Sequence, residues 1–399
     1  MDNLRIIDAD GHVQERDANW QELLEAPYRK HAPKMIAGPD GKEQLLLEGK
    51  IWAKPSGTGL GIGTAPYSRR PQKTTGMFDP VQRIKDMDLE NIDTAVNFGT
   101  TVFLSLPFLE NHDLACAIAH AYNTWLDGYC KTNPKRLKGV ALVAMQEPKE
   151  AVKELERCVK ELGFVAVATA AHSAGRNLDH PDLYPFYAKA EELGVPVCVH
   201  VGSGRPAAAA DRFDNAFFVH ATTHAFEQMI GVMCIVGGGI LELYPKLKVA
   251  FLEAGAGWVP YWMERLDEHY EYLQPTVPLI KKPPSEYMRS EQVYYSFEPD
   301  EHTLNFVMDY VGEDRLIFAS DYNHGDSKFP HTVKSVTERK NLSASQLQKL
   351  MGVSDRRIGA PGARYLPITG CSISCSHSRA QFCSQSTNWP MVLSGAAAR

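Results

Sequence analysis

Short apolar runs alternate along this chain with longer segments whose apolar residues recur at helical spacing. The runs at 5–8, 94–98, 139–145, 164–168, 195–200, 248–253, 293–298 and 315–321 are short and nearly continuous in apolar residues, the signature of strands buried on both faces. Between them, 111–130, 148–162, 182–193, 258–272 and 301–311 carry the period of amphipathic helices. Pro148 opens the second of these and Gly163 closes it, while Gly194 closes the third, which is the usual punctuation of helix ends. Eight strands, each followed by helical material, predict an α/β fold. The count is that of a (β/α)8 TIM barrel, with a doubly wound open sheet as the alternative topology.

Two stretches break the alternation. Residues 28–79 hold little helical pattern and read as an insertion after the first strand. It contains a hairpin-like segment at 43–54, a run with Gly57, Gly59, Gly61 and Gly63, and then Arg69, Arg70 and Lys73. An insertion at that point lies over a barrel mouth, where loops act as lids. The glycines do not stand between a strand and a helix, so no dinucleotide cradle is expected. From Gly352 onward the helical pattern fails, and 371–399 holds seven serines, three cysteines and no acidic residue. The expected division is therefore a barrel over 1–351 and a weakly ordered tail over 352–399. Cys371, Cys375 and Cys383 near His377 lack the paired spacing of a metal cluster.

Composition adds mainly exclusions. With 399 residues, 44% hydrophobic and 23% charged, the chain has the make-up of an ordinary globular protein able to bury a large core. Its 42 basic against 48 acidic residues, a net charge of −6, give no footprint for nucleic acid. No apolar run approaches the roughly eighteen residues of a membrane span, and the amino terminus enters a strand without a secretory apolar region. Of eight cysteines, Cys116, Cys130, Cys158, Cys198 and Cys234 lie in apolar stretches, which reads as buried free thiols of a reducing cytoplasm.

The ends of the predicted strands carry the chemistry. Asp10 and His12 close the first and, by strand alternation, project to one side, with Asp8 one step deeper. His200 ends the fifth, Glu253 the sixth and Asp321 the eighth, each after an otherwise apolar run. Such a pair in a loop is commonly plain turn chemistry. Four strand ends that each deliver one ionisable group are not, because a buried carboxylate or imidazole is costly unless paired or bound to metal. In a barrel these ends meet at one mouth. Glu15, three residues beyond His12, can fold back toward the same centre. His220 and His224 are four apart in a helical segment, and His224 is the favoured ligand or base because Glu227 and Gln228 extend a polar patch beside it. His324 reads as a donor behind Asp321, and Arg265 and Asp267 as surface charges.

Asp10-x-His12, His200, Asp321 and the stretch LELYPKLKVAFLEAGAGWVP at 241–260 resemble the amidohydrolase superfamily over residues 4–350. The similarity is to its amidohydrolase-related branch, which includes nonoxidative decarboxylases of the aminocarboxymuconate semialdehyde type. That resemblance implies a distorted barrel with one or two divalent ions at its mouth, often in a homodimer. Where it leads one to expect His-x-His on the first strand and a histidine ending the sixth, this chain has Asp10-x-His12 and Glu253. The candidate ligands are thus Asp10, His12, Glu15, His200, His224, Glu253 and Asp321. Four carboxylates and three imidazoles suit iron or manganese at least as well as zinc.

The leading expectation is a metal-dependent hydrolase or nonoxidative decarboxylase that acts on a small carboxylated or cyclic substrate through a metal-activated water. Asp321 or His224 would move the proton, while Glu253 and Glu15 would orient the ligands or hold a second ion. The pattern also resembles a subgroup of TIM-barrel non-haem diiron oxygenases with acyl or acyl-CoA substrates, which keeps dioxygen activation open. A non-catalytic binding barrel is the third reading, and it leaves the clustered ionisable groups without a purpose.

Overall fold

The computed structural model describes residues 4–37, 43–51, 74–200, 212–213 and 216–352. Eight strands form one parallel sheet in sequential order: β1 (Ile7–His12), β2 (Thr94–Phe98), β3 (Leu137–Leu142), β4 (Ala166–Thr169), β5 (Val197–Val199), β6 (Val249–Phe251), β7 (Val293–Phe297) and β8 (Leu316–Phe318). Each lies where an apolar run predicts it. The sheet curls back on itself just past its ends: Asp321 N donates to Asp10 O (3.0 Å) and His12 N to Tyr322 O (2.9 Å). The fold is a nearly closed barrel, and the open-sheet alternative is set aside.

Helices α1 (Pro80–Glu90), α2 (Thr101–Ser105), α3 (His112–Cys130), α4 (Pro148–Lys160), α5 (Tyr184–Leu193), α6 (Ala216–Gly237), α7 (Val259–Leu273), α8 (Leu304–Val311) and α9 (Ala344–Met351) surround it. The hydrophobic pattern does not reveal α1, although its start is well marked: Asp79 accepts from the N–H groups of Val81 and Gln82, and Pro80 takes the first turn. It supplies two buried charges to the floor of the site, Arg83 and Asp86. Helix α6 contains the segment with His220 and His224.

The insertion after β1 builds a small antiparallel sheet from Lys34–Ala37, Glu43–Leu47 and Lys50–Ile51, with Leu45 and Leu47 buried. The hairpin read from the sequence supplies its second and third strands. The glycine run, Arg69, Arg70 and Lys73 lie outside the described residues, as does the whole chain after Gly352 with Cys371, Cys375, His377 and Cys383. Cys130, Cys158, Cys198 and Cys234 are buried free thiols and Cys116 is half-buried. Burial pushes the Cys130 thiol up to about 12, so it behaves as a small apolar residue. Among the described residues no helix is long and apolar enough to cross a membrane.

Candidate metal centre

Register in β1 decides what its end presents. Ile7 and Asp8 pair with Thr94 and Ala95, and Gly11 and His12 with Asn97 and Phe98, so β1 carries one extra residue between Asp8 and Gly11. The irregularity separates the acids. Asp8 points into the floor, where Arg83 Nη2 lies 3.3 Å away and Ser320 donates to it from both N (2.9 Å) and Oγ (2.6 Å). Asp10 and His12 face the mouth. Only glycine fits between them, because a Cβ on Gly11 would lie 2.4 Å from Arg83 Nη2 and 2.8 Å from Asp8 Oδ2.

The opposite side of the centre comes from β5, β6 and β8. His200 follows β5 directly. Glu253 and Asp321 each sit a few residues past their strands in left-handed backbone, at φ 60° and 50°. Non-glycine residues adopt that conformation at a cost, and such outliers collect at functional sites. Here the sharp turn aims both carboxylates inward. His12 Nε2 lies 3.3 Å from His200 Nε2 and 3.5 Å from Asp10 Oδ1 and Asp321 Oδ1. His200 Nε2 is 3.4 Å from Asp10 Oδ1, and His200 Nδ1 is 3.2 Å from Glu253 Oε2. His324 Nδ1 stands 2.6 Å from Asp321 Oδ1 and 3.8 Å from Glu253 Oε1. Asp10, His12 and His200 form one group with ligand atoms within 4.8 Å of one another. His12, Glu253, Asp321 and His324 form a second, and His12 belongs to both.

The donor set fits a cation. Asp10 and His12 are each 1% exposed and His200 is 2% exposed. Both carboxylate oxygens of Asp10 are buried, yet neither accepts a hydrogen bond in good geometry, although two imidazole nitrogens lie within 3.5 Å. Lone pairs that converge without bonding to each other are the arrangement a divalent ion satisfies.

Electrostatics follow from crowding. Burial raises the Asp10 carboxyl against the lowering effect of His200. Burial also holds the His12 imidazole well below its usual range, helped by His324 and His200. Burial lifts Asp321 well above the carboxylate range despite His324 beside it. Glu253 goes the other way: burial alone would raise it, but His200, His324, His224 and His12 together hold it well below. Burial works to lower His324, and the carboxylates of Asp321 and Glu253 overcome it and raise that imidazole well above its usual value. Without a cation these shifts favour the protonated forms of Asp321 and His324 and the anionic form of Glu253.

Two expected ligands stand apart from both donor groups. His224 lines an open cavity of about 670 Å3 with His220, Glu253, Trp258, Glu298 and Asp321. Burial lowers its imidazole to about 4. His220 stacks on it with ring centroids 3.9 Å apart. Glu15 is engaged elsewhere: its Oε1 accepts from Thr100 N (3.2 Å) and its Oε2 from Thr101 N (3.1 Å), which caps the start of α2. Gly99 makes room for it, since a Cβ there would come within 2.7 Å of Glu15 Oε1 and 2.9 Å of the Tyr122 ring.

Burial pushes the Glu15 carboxyl from 4.5 up to about 7, against the lowering effect of the backbone N–H groups. A carboxyl whose folded value is raised stabilises the fold fully below pH 4.5, and that contribution is lost as the pH rises through about 7. The stability advantage of the natural protein over Glu15→Gln should therefore shrink by about 1–3 kcal/mol between about pH 5 and pH 8. Denaturant unfolding of both proteins across that window measures it. A difference that stays constant refutes it.

Two contributors, Thr100 and Arg83, escaped the sequence reading, and a third was placed one layer too far out. His324 is in contact with the cluster and not behind it. Thr100 sits under both histidines, with its Oγ1 3.5 Å from His12 Nδ1 and 3.3 Å from His324 Nε2. Arg83 supports the floor, stacked 3.5 Å from the Tyr322 ring centroid, while the Tyr322 hydroxyl donates to Asp86. The proline-capped start of α1 was the available signal for the last of these.

Barrel and donor cluster together define the class: a parallel-barrel enzyme organised around a cation site at the carboxyl ends of its strands. The chain belongs to the amidohydrolase family, whose profile matches residues 7–352. It is 28% identical over 247 residues to a 2-amino-3-carboxymuconate-6-semialdehyde decarboxylase of Dictyostelium discoideum, covering 61% of this chain and 67% of that protein. It is also 28% identical over 307 residues to a gamma-resorcylate decarboxylase of a Polaromonas species, covering 72% and 92%. Among solved structures, a 5-carboxyvanillate decarboxylase of Novosphingobium aromaticivorans, complexed with manganese and 4-hydroxy-3-methoxy-5-nitrobenzoic acid, superposes with a TM-score of 0.65. That pair shares 22% identity over 88% of this chain and 94% of the other.

Proposed function

We propose that the protein is a metal-dependent, nonoxidative decarboxylase of a small aromatic or cyclic carboxylate. The observation that carries this reading is the convergence of Asp10, His12, His200 and Asp321 from the ends of three strands, β1, β5 and β8, with neither buried Asp10 oxygen accepting a well-formed hydrogen bond among the described residues. The decarboxylase relatives support the reaction class, and the manganese of the solved neighbour supports a hard divalent ion. Asp10, His12 and His200, one of the two donor groups, would hold that ion. When bound, it would draw electron density from the substrate's carboxylate and an adjacent ring oxygen.

The remaining steps belong to side chains. Trp258 and the start of α6 wall the cavity beside the cluster and give a ring an apolar face. In the reaction the bond between ring carbon and carboxylate carbon breaks, carbon dioxide leaves, and the electron pair stays on the ring carbon. A proton must then reach that carbon. The Asp321 carboxyl, 2.6 Å from His324 Nδ1, is the group placed to deliver it, and His324 restores the proton to Asp321. The change is redox-neutral and needs no co-reactant. His224, on the cavity wall, is a second candidate to move a proton.

The second donor group, Glu253 and His324 with His12 and Asp321, could hold another ion, and a dioxygen-activating pair of irons would use it. One experiment separates the readings. Protein purified without added metal is analysed for its elements, loaded with manganese, and given a panel of hydroxybenzoates under argon. Carbon dioxide release without oxygen, with one ion per chain, is expected. Two irons per chain and turnover that stops under argon would overturn the decarboxylase reading in favour of an oxygenase.

A further inference from the structure

Past the end of β4 the chain runs through Ala170 and Ala171 to His172, which lies in a two-residue strand paired with Arg176–Asn177. Thr169 pairs with Val199, and its carbonyl accepts from His200 N, so His172 rises from the rim three residues beyond the level of the cluster. The same aromatic segment after β2 covers both histidines: Phe103 meets His200 edge-on at 5.1 Å, and Phe108 meets His172 at 5.4 Å. The other side is α6. Glu227, 3% exposed, places Oε2 3.0 Å from His172 Nδ1. It follows His224 by three residues, so one face of the helix carries both the cavity-lining histidine and the carboxylate that holds His172.

Two polar atoms here are left over. Among the described residues, His172 Nε2 is buried with no hydrogen-bond partner, and so is Oε1 of Gln228, whose amide nitrogen donates to Val199 O just below His200. Buried polar atoms are nearly always paired, and an unpaired one invites a missing ligand. Neither atom has a use in the proton transfers above.

We propose that His172, oriented by Glu227, reads a ring hydroxyl of the substrate, distinct from the carboxylate that is lost. With the Glu227 carboxylate on Nδ1, a singly protonated ring carries its proton there, which leaves Nε2 as an acceptor. A buried acceptor packed against the Phe108 ring rewards a hydroxyl donor and penalises its absence, because it is otherwise unpaired. His172 is then a specificity-determining residue and Glu227 the residue that positions it. This inference rests on the decarboxylase reading.

The test is equilibrium binding to manganese-loaded protein, by calorimetry, of benzoate and of 2-, 3-, 4-hydroxy- and 2,6-dihydroxybenzoate, with metal content and thermal melting measured in parallel. The natural protein is expected to bind at least one hydroxylated ligand about tenfold or more tightly than benzoate. His172→Asn keeps an amide near Nδ1 for Glu227 and removes the outer nitrogen, so the ratio of dissociation constants should fall to about one. His172→Gln returns a polar atom near the Nε2 position and should restore part of the ratio. Glu227→Leu should lower the ratio as well, raising KM for hydroxylated substrates more than it lowers kcat. Equal weakening of all five ligands in the His172 variants would show a structural role and overturn the proposal, as would an unchanged ratio. Natural protein that takes up no manganese and binds no benzoate would instead sink the decarboxylase reading, and this inference with it.

Discussion

Asp10→Asn protein is expected to lose its cation and its turnover together, while its metal-free form becomes more stable than the natural one. Both expectations come from the same two oxygens. They are buried, accept no hydrogen bond in good geometry, and lie near the further carboxylates of Glu253 and Asp8. A carboxylate so placed is a liability until a cation arrives. Replacing it with a neutral amide of the same shape should relieve about 1–3 kcal/mol of strain in the metal-free fold. The same change removes an anionic ligand, so kcat/KM should fall by about a thousandfold or more, the several kcal/mol a metal contributes. Elemental analysis reads the first effect. Denaturant unfolding with manganese or with chelator reads the second: added metal should stabilise the natural protein and leave the variant unmoved. A variant that keeps its metal, or whose metal-free form is the weaker one, contradicts this account of the centre.

The largest effect on folding is expected at Asp8. Its carboxylate is fully buried, faces the Arg83 guanidinium, and accepts from Ser320 at both N and Oγ. Among the described residues the Arg83 Nε and Nη1 lack hydrogen-bond partners, and its flat face rests on Tyr322. Asp8→Ala leaves that cation buried and uncompensated, which should cost about 3–5 kcal/mol of folding free energy. Asp8→Ala combined with Arg83→Met removes both charges and should recover most of the loss. Equilibrium unfolding of the two single variants and the double variant forms a cycle that gives the coupling directly. If the double variant is as unstable as the sum of the singles, the pair is not coupled as described.

Much of this molecule can be read from its sequence because its strands are buried on both faces. A run such as 195–200 is apolar until His200, and the interruption marks both the strand's end and its chemistry. The same logic found Asp10, His12, Glu253 and Asp321. It failed where spatial neighbours are far apart or where backbone geometry is unusual. Glu15 looks like a ligand from its closeness to His12, but its partners Thr100 and Thr101 lie 85 and 86 residues away. His172 and Glu227, 55 apart, show no pattern at all. The extra residue in β1 sends Asp8 away from Asp10 in a way strict alternation does not express. Glycine usually announces a left-handed turn, and Glu253 and Asp321 adopt one without it. His324 is only three residues past Asp321, yet nothing in that spacing says whether the loop brings it forward or back.

The seam between the first and last strands carries a consequence for how the protein is made. Ser320 donates to Asp8 across 312 residues, and Asp321 to Asp10 beside it. A nascent chain emerging from a ribosome at about 5–20 residues per second thus holds Asp10 and His12 for roughly 15–60 s before Asp321 is synthesised. Until then the Asp10 carbonyl lacks its donor at Asp321 N, and the amino-terminal strand has no neighbour on its open edge. Maturation of this enzyme is a late event, timed by the arrival of β8.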